Sequence, residues 1–254
     1  MNDTVVCLIL MLLCFLLVHL FKMMRLYLVL MEHRLPFGKF VLLYLRTTLV
    51  NLLIPFKLGE FYRIEEVFRL TGIWQVGVLS VVVDRFFDIL ALFFCLLFFW
   101  VAGGVPAAVL PVFGCMILLG GLIYLSVPGS FSYLNRYLIQ RRASVRSMAA
   151  LRGLDVVKAW YDFTANLIRG RAVMITLTSA FGWIFEILTL TMLARYFGLA
   201  YRFEEFGRYV DAIFRAGSSM QIQEIYTRYS LIAMAAATIL GYVWKLIKSL
   251  FAKQ

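Results

Sequence analysis

Hydrophobic residues occupy long uninterrupted stretches of the chain, and polar residues gather between them. Four stretches contain no Asp, Glu, Lys or Arg: 5–21, 89–135, 172–185 and 231–244. A helix needs about 20 mostly apolar residues to span a hydrocarbon core of about 30 Å, so the longest stretch can cross twice, around Pro106 and Pro111. The pattern predicts an all-α, polytopic membrane bundle with about six hydrophobic segments, at roughly 5–31, 38–56, 74–101, 107–127, 172–197 and 229–250.

The composition agrees with a membrane environment and argues against several soluble classes of protein. Hydrophobic residues make up 63% of the chain, charged residues only 15%, and the mean hydropathy is +0.88. No region outside the apolar segments is long enough for a soluble catalytic domain, so we expect residues 1–254 to form a single transmembrane domain. The sequence shows no metal-type His/Cys constellation, no Ser-His-Asp set and no glycine-rich nucleotide loop. It therefore predicts neither cofactor nor metal and favours a protein that is not an enzyme.

Basic residues are distributed asymmetrically, and this predicts the orientation of the chain. The positive-inside rule places the stretch 131–171 in the cytoplasm. Its basic residues greatly outnumber Asp155 and Asp162 and are Arg136, Arg141, Arg142, Arg146, Arg152, Lys158, Arg169 and Arg171. We expect an integral protein of the cytoplasmic (inner) membrane of a prokaryote. The net charge of +11 lies at membrane edges, so we expect membrane lipids as partners and no nucleic acid.

The segment 38–56 decides the side on which the N-terminus lies. The stretch 22–39 is basic, and two crossings counted back from residue 131 place residues 57–73 in the cytoplasm as well. Both regions are inside only if segment 38–56 enters the membrane and returns; if it crosses, the N-terminus is inside and the first loop breaks the rule. Asn51, Pro55 and Gly59 supply the backbone breaks that a re-entrant segment needs, and we favour re-entry.

A helix of a different kind is predicted at 147–168. Apolar residues recur there at three- to four-residue spacing, while Arg152, Lys158 and Asp162 fall between them. This spacing is typical of an amphipathic helix lying on the cytoplasmic membrane face. Its basic residues would attract anionic headgroups, at about 1 kcal/mol per Lys or Arg. The alternative is a plain loop whose charges only fix the orientation of the chain.

Ionisable residues cluster next to the backbone break of segment 38–56 and in the following apolar segment. At the centre of a membrane helix each charge costs roughly 2.5–3.5 kcal/mol, so such a cluster is a site hypothesis. One interpretation is a substrate site in which arginines hold a phosphate in forked geometry and a lysine adds a point charge. The other is an ion-pair network that holds two helices together. The candidate residues are Asn51, Pro55, Lys57, Gly59, Glu60, Arg63, Asp84, Arg85 and Asp88.

Glu186 is a further carboxylate, in the middle of segment 172–197. A lone charge is costly there, so protonation, a cation partner such as Arg63 or Arg85, or a wet cavity must relieve it. One interpretation is a cation or proton site facing the first cluster. The other is a neutral glutamic acid that hydrogen-bonds between helices.

These residues resemble a known family. The run Asn51-x-x-x-Pro55-x-Lys57-x-Gly59-Glu60-x-x-Arg63, followed by Asp84-Arg85-x-x-Asp88 at the start of a long apolar helix, is similar to the lysylphosphatidylglycerol synthase transmembrane-region family, also called flippase-like membrane proteins. Trp183-x-x-Glu186 is similar to a later element of that family. The resemblance covers most of the chain, from about residue 35 to 195.

The resemblance implies a polytopic membrane protein that handles lipids. The family includes the membrane part of an enzyme that aminoacylates phosphatidylglycerol and translocates the product, and stand-alone proteins linked to glycolipid or cell-envelope pathways. The aminoacyl-transfer part of that enzyme is a separate soluble module without a counterpart in these residues. The resemblance therefore implies a lipid transporter or flippase-like protein that handles a phospholipid or a lipid-linked glycan. The alternative is an integral-membrane enzyme or an accessory subunit of envelope lipid or glycolipid biosynthesis, with Glu60 or Asp84 as general base.

The second half of the family pattern is reduced in this sequence. Family members commonly repeat the Pro-Gly-Glu pattern there, whereas residues 215–228 contain no proline. Glu224 and Arg228 echo Glu60 and Arg63 at a spacing of four instead of three, so with Trp183 they form a possible second half of the site. We expect that half to be reduced, or to be completed by a homo-oligomer or a biosynthetic partner enzyme.

Overall fold

The computed structural model describes residues 2–54, 58–104, 107–141, 145–214 and 220–251. Within these ranges the regular structure is helical, which confirms the predicted all-α class. Short 3₁₀ turns at Met31–His33 and Phe203–Glu205 precede two of the helices. The helices are α1 (Asn2–Leu30), α2 (Phe37–Leu53), α3 (Gly59–Thr71), α4 (Trp74–Val101), α5 (Leu110–Arg141), α6 (Val145–Ile168), α7 (Ala172–Phe197), α8 (Phe206–Phe214) and α9 (Gln221–Phe251).

Four of these helices, α1, α5, α7 and α9, are long and apolar enough to cross a membrane. Helix α4 has 28 residues, about 42 Å at 1.5 Å per residue, and is long enough as well. It differs because Asp84, Arg85 and Asp88 lie near its middle. The protein is thus an integral membrane bundle in which one membrane-length helix carries charges at its centre.

The hydrophobic pattern predicts α4 and α7 with their observed bounds, but it ends the segment of α5 too early. That segment was predicted to stop at residue 127, before Pro128, whereas the helix continues through this proline to Arg141. The continuation packs against α6, which runs back along it: the rings of Tyr124 and Tyr161 are 5.1 Å apart, and Lys158 lies 5.2 Å from the ring of Phe131. An interior proline by itself disfavours helix formation. Helix α5 continues through Pro128 where it packs against α6.

The predicted amphipathic helix is present as α6, and its second half packs against neighbouring helices. Leu167 is 1% exposed and lies in a buried cluster with residues of α1, α4 and α7. The ring of Phe163 stacks on His33 at 6.2 Å. The location of the first half at a membrane surface stays a prediction.

Helix α1 lies against α7 and runs in the opposite direction. Lys22 contacts Glu186, Arg25 contacts Ser179, and Arg171 at the start of α7 donates to the backbone oxygen of Leu28. The residue numbers therefore rise on one helix as they fall on the other. This pairing carries the two cations of α1 into the middle of the bundle.

Helices α2 and α3 form an antiparallel hairpin. Asn51 donates to Glu60 at 3.2 Å, and Arg46 donates to Glu66 at 3.1 Å. Further from the turn, Phe40 and Val67 share a buried cluster. The chain therefore turns back after Leu53, as the re-entrant interpretation requires; Pro55 and Lys57 lie outside the described residues.

The returning hairpin brings the basic connections to one end of the bundle, which we call the basic end. The ends of α1, α3 and α6, the starts of α2, α4 and α7, and the end of α9 lie there. At the opposite end, Asp211 of α8 accepts hydrogen bonds from the backbone N–H groups of Ala108 and Val109 at 2.8 and 3.1 Å. With the basic end in the cytoplasm, residues 22–39 and 57–73 both obey the positive-inside rule, and the N-terminus is outside.

A labelling experiment tests this topology. In a variant in which the four native cysteines are replaced, single cysteines are introduced as Lys39→Cys, Arg69→Cys and Glu204→Cys. We expect a membrane-impermeant thiol reagent to label the first two from the same side and the third from the other side, because the hairpin returns. Labelling of Lys39→Cys and Arg69→Cys from opposite sides would show that the chain crosses the membrane between them.

Candidate functional site

Six charged residues from three helices join into a closed ring in which acidic and basic groups alternate. We call this set the charge ring. Every carboxylate in it contacts two guanidinium groups, and every guanidinium contacts two carboxylates. In order around the ring, the members are Glu60, Arg63, Asp84, Arg25, Asp88 and Arg85.

Asp84 is the most deeply buried part of the charge ring. Its side chain is 1% exposed, and its two oxygens accept hydrogen bonds from Arg25 at 2.5 Å and from Arg63 at 2.8 Å. Arg25 also donates to Asp88 and lies 3.3 Å from the hydroxyl of Ser179. The two guanidinium groups thus hold one carboxylate between α1, α3 and α4.

Arg85 closes the charge ring on the other side. It donates to Glu60, and its second contact, to Asp88, is longer at 3.6 Å. The contact between Glu60 and Arg63 is also long, at 3.4 Å, and Glu60 accepts a further hydrogen bond from Asn51 at 3.2 Å. The looser contacts of the ring therefore lie beside Arg85 and Glu60, away from Asp84.

Helix spacing and two glycines explain why these residues meet. Asp84 and Asp88 are four residues apart and lie on one face of α4. A Cβ atom on Gly59 would lie 2.7 Å from the Cα of Asn51, and one on Gly77 would lie 2.6 Å from the backbone oxygen of Ile64. The absence of these side chains lets α3 approach α2 on one side and α4 on the other.

The charge ring is electrically neutral if all six groups are ionised, because it contains three acidic and three basic groups. Removing ions from water costs several kcal/mol each, and close partners with good geometry are needed to offset that cost. The two contacts of every member supply those partners. Each carboxylate is engaged by two guanidinium groups and each guanidinium by two carboxylates, so the described ring is balanced internally.

A second ion pair adjoins the charge ring through a tryptophan. Lys22 donates to Glu186 at 2.5 Å and lies 5.6 Å from the ring centre of Trp183. The indole N–H of Trp183 donates to Asp88 at 3.2 Å. The Trp183 and Glu186 element of the sequence is therefore in contact with the first cluster.

The expected partner of Glu186 was wrong. The sequence suggested Arg63 or Arg85, but both of these arginines are engaged by carboxylates of the charge ring. Lys22 reaches Glu186 instead, because antiparallel packing of α1 and α7 sets these side chains opposite each other.

Exposure separates the cations of the site into two groups. The side chains of Arg25 and Arg63 are 4% and 7% exposed, whereas those of Lys22 and Arg85 are 29% and 34% exposed. Lys22 and Arg85 both adjoin Asp88, the first through Trp183 and the second directly. Among the described cations of the site, these two side chains are the more exposed ones.

Sequence reasoning missed the contribution of α1 to the site. Lys22 and Arg25 had been interpreted only as orientation signals near the end of a hydrophobic segment. Their spacing of three residues within an apolar helix was the available signal, because it places both charges on one face. A pair on one face of a helix that spans a membrane points to partners inside the bundle.

Of the predicted second half of the site, Trp183 contacts the charge ring through Asp88, whereas Glu224 and Arg228 do not join it in the described residues. Glu224 and Arg228 lie on exposed positions of α9. None of the ion pairs found among the described residues of the ring involves either of them. Their role in a second half-site stays a prediction.

Comparison with known proteins identifies the family of the chain. No curated protein and no solved structure matches the chain. The model of the family described as lysylphosphatidylglycerol synthase TM region matches residues 2–214, which include the whole charge ring, Lys22 and Glu186 but not Glu224 or Arg228. The chain therefore belongs to the lysylphosphatidylglycerol synthase TM region family.

Proposed function

We propose that this protein is a flippase-like lipid transporter, and that Arg85 and Lys22 bind the anionic headgroup of a phospholipid or a lipid-linked glycan. The observation that carries the proposal is the partial exposure of these two cations beside an otherwise buried charge ring. A phosphate group can accept forked hydrogen bonds from a guanidinium, and an ammonium adds a compact point charge. The acyl chains of the lipid would remain in the bilayer.

The charge ring offers a route for binding and release. A headgroup phosphate that binds Arg85 would draw it away from Glu60 and Asp88. Glu60 would still contact Arg63 and Asn51. Asp88 would still contact Arg25 and Trp183. No buried carboxylate is then left without a donor, which would otherwise cost 3–5 kcal/mol or so. The long contact between Arg85 and Asp88, 3.6 Å, is the contact we expect to open first.

A second candidate function is favoured by the closure of the charge ring. A closed and neutral ring is also what a static brace between α1, α3 and α4 requires. Such a brace suits an accessory subunit of envelope lipid or glycolipid biosynthesis that carries no lipid itself. The general-base role considered for Glu60 and Asp84 is disfavoured, because each carboxylate is engaged by two guanidinium groups.

Transport across liposomes distinguishes these functions. The purified chain is reconstituted with fluorescent phosphatidylglycerol, and the fraction of label in each leaflet is followed by quenching from outside. We expect the wild type to move the label at least tenfold faster than empty liposomes. We expect Arg85→Gln to lose at least nine-tenths of that rate because it removes the exposed guanidinium.

The matched control is Arg69→Gln, since Arg69 is an exposed arginine of α3 that pairs only with Glu65 and Glu66 in the described residues. It should transport like the wild type, and both variants should melt near the wild-type temperature in detergent. Transport by Arg85→Gln at the wild-type rate would reject the headgroup role. A wild type that moves no lipid, together with a strongly destabilised Arg85→Gln, would establish the brace.

A further inference from the structure

A groove lined by apolar side chains opens between α4, α5 and α6, away from the charge ring. We call it the lateral groove. Its volume is about 500 Å³, and its walls include Val83, Phe87, Gly121, Tyr124, Trp160 and Thr164. On α4 the groove residues Val83 and Phe87 neighbour Asp84 and Asp88, which point to α1. The same helix therefore separates a charged face from an apolar cavity.

Adjacent glycines of α5 account for the space. A Cβ atom on Gly120 would lie 2.8 Å from the ring of Phe86, so α5 touches α4 there. A Cβ atom on Gly121 would meet no atom within 4 Å, because this position faces the groove. Close approach at one glycine and open space at the next create a cavity in a region where neighbouring helices normally interdigitate.

The length of the lateral groove fits a hydrocarbon chain from one leaflet. The α6 wall runs from Val157 to Ile168, about 16 Å at 1.5 Å per residue. This is about half of a hydrocarbon core of ~30 Å, the depth that one leaflet contributes.

The residues around the groove fit the edge of one leaflet. Trp160 and the neighbouring pair Tyr124 and Tyr161 are residue types that concentrate at the membrane–water interface. Lys158 lies two residues before Trp160 on the same helix, over the ring of Phe131, and pairs with Asp162 at 3.1 Å. The groove also lies towards the basic end, where positive charge attracts anionic headgroups.

We propose that the lateral groove holds an acyl chain of an anionic phospholipid from the leaflet at the basic end. The headgroup lies at the level of Lys158, and the chain extends past Trp160 towards Phe87. This binding site is separate from Arg85 and Lys22, and it does not depend on the proposed transport activity. The acyl chain fills space that would otherwise leave apolar side chains without packing partners.

A large side chain introduced at Gly121 would fill the groove, and this tests the proposal. The full-length protein is purified in nanodiscs containing phosphatidylglycerol with a photoactivatable diazirine in its acyl chain, and the labelled peptides are identified after irradiation. We expect label on peptides of α4, α5 and α6 in the wild type. We expect Gly121→Phe to reduce that label at least fivefold, because the ring occupies the groove.

The control is Gly129→Phe on the same helix, where a Cβ atom also meets nothing within 4 Å but the position is not part of the groove. It should label like the wild type. If Gly121→Phe fails to fold, Gly121→Leu serves as the smaller replacement. Arg85→Gln should retain the groove label, which separates this site from the headgroup site.

Three results would overturn the proposal. One is equal labelling of Gly121→Phe and Gly129→Phe, and another is label confined to peptides outside α4, α5 and α6. The third is a wild-type dimer that Gly121→Phe converts to a monomer without change in lipid label, which would assign the groove to a second copy of the chain.

Discussion

Asp84→Asn is expected to destabilise the folded protein by about 3–5 kcal/mol, because it leaves one positive charge of the buried ring without a counter-charge. The side chain is 1% exposed and neutralises Arg25 and Arg63 at the same time. The asparagine amide has the same shape as the carboxylate and keeps one oxygen acceptor. Its N–H group would face one of the two arginine donors. Two buried guanidinium groups would then face each other across a neutral residue. The loss of stability is measured by thermal unfolding in detergent and by the yield of monodisperse protein.

Glu65→Gln is the matched control for this prediction. It is the same acid-to-amide change in an ion pair with Arg69 whose side chains are 52% and 62% exposed. Exposed pairs contribute little, so its unfolding temperature should remain close to that of the wild type. Equal stability of Asp84→Asn and Glu65→Gln would show that the charge ring does not hold the three helices together.

Gly59→Ala is expected to open the hairpin of α2 and α3 and to destabilise the protein by about 1–3 kcal/mol or more. The added Cβ atom would lie 2.7 Å from the Cα and 2.8 Å from the backbone nitrogen of Asn51. Backbone atoms cannot move aside as a flexible side chain can, so α3 must shift as a unit. Glu60, the next residue, would then leave Asn51 and Arg85. We expect the liposome transport rate to fall at least tenfold.

Gly38→Ala provides the comparison, because it lies near the start of the same hairpin and its Cβ atom would meet nothing within 4 Å. Stability and transport should both match the wild type. If Gly59→Ala behaves in the same way, the close contact between the two helices is not needed for folding or transport.

The fold and five of the six members of the charge ring, all except Arg25, follow from local sequence rules. Apolar length predicts α4 and α7 with their observed bounds, and charge asymmetry with backbone breaks predicts the hairpin. Spacing of three and four residues predicts that Glu60 can reach Arg63 and that Asp84 and Asp88 share a face. These relations lie within one helix or one turn, where sequence distance and spatial distance agree.

Arg25 shows where such rules stop. It contacts carboxylates 59 and 63 residues later in the chain, and no period within α1 specifies that pairing. Its charge also satisfies the positive-inside rule, so orientation alone accounts for it in the sequence. The residue predicted to pair with Glu186 was wrong for the same reason, because the antiparallel packing of α1 and α7 that brings Lys22 to it is a tertiary relation.

The charge ring also constrains how the chain enters the membrane during synthesis. Helix α4 carries three charges near its centre, each costing roughly 2.5–3.5 kcal/mol in hydrocarbon, which makes it a poor candidate to leave the translocon alone. Arg25 on α1 and Arg63 on α3 are synthesised earlier and neutralise Asp84 on arrival. We therefore expect α1 and the hairpin to remain beside the translocon until α4 emerges, so that these segments partition into lipid as one unit.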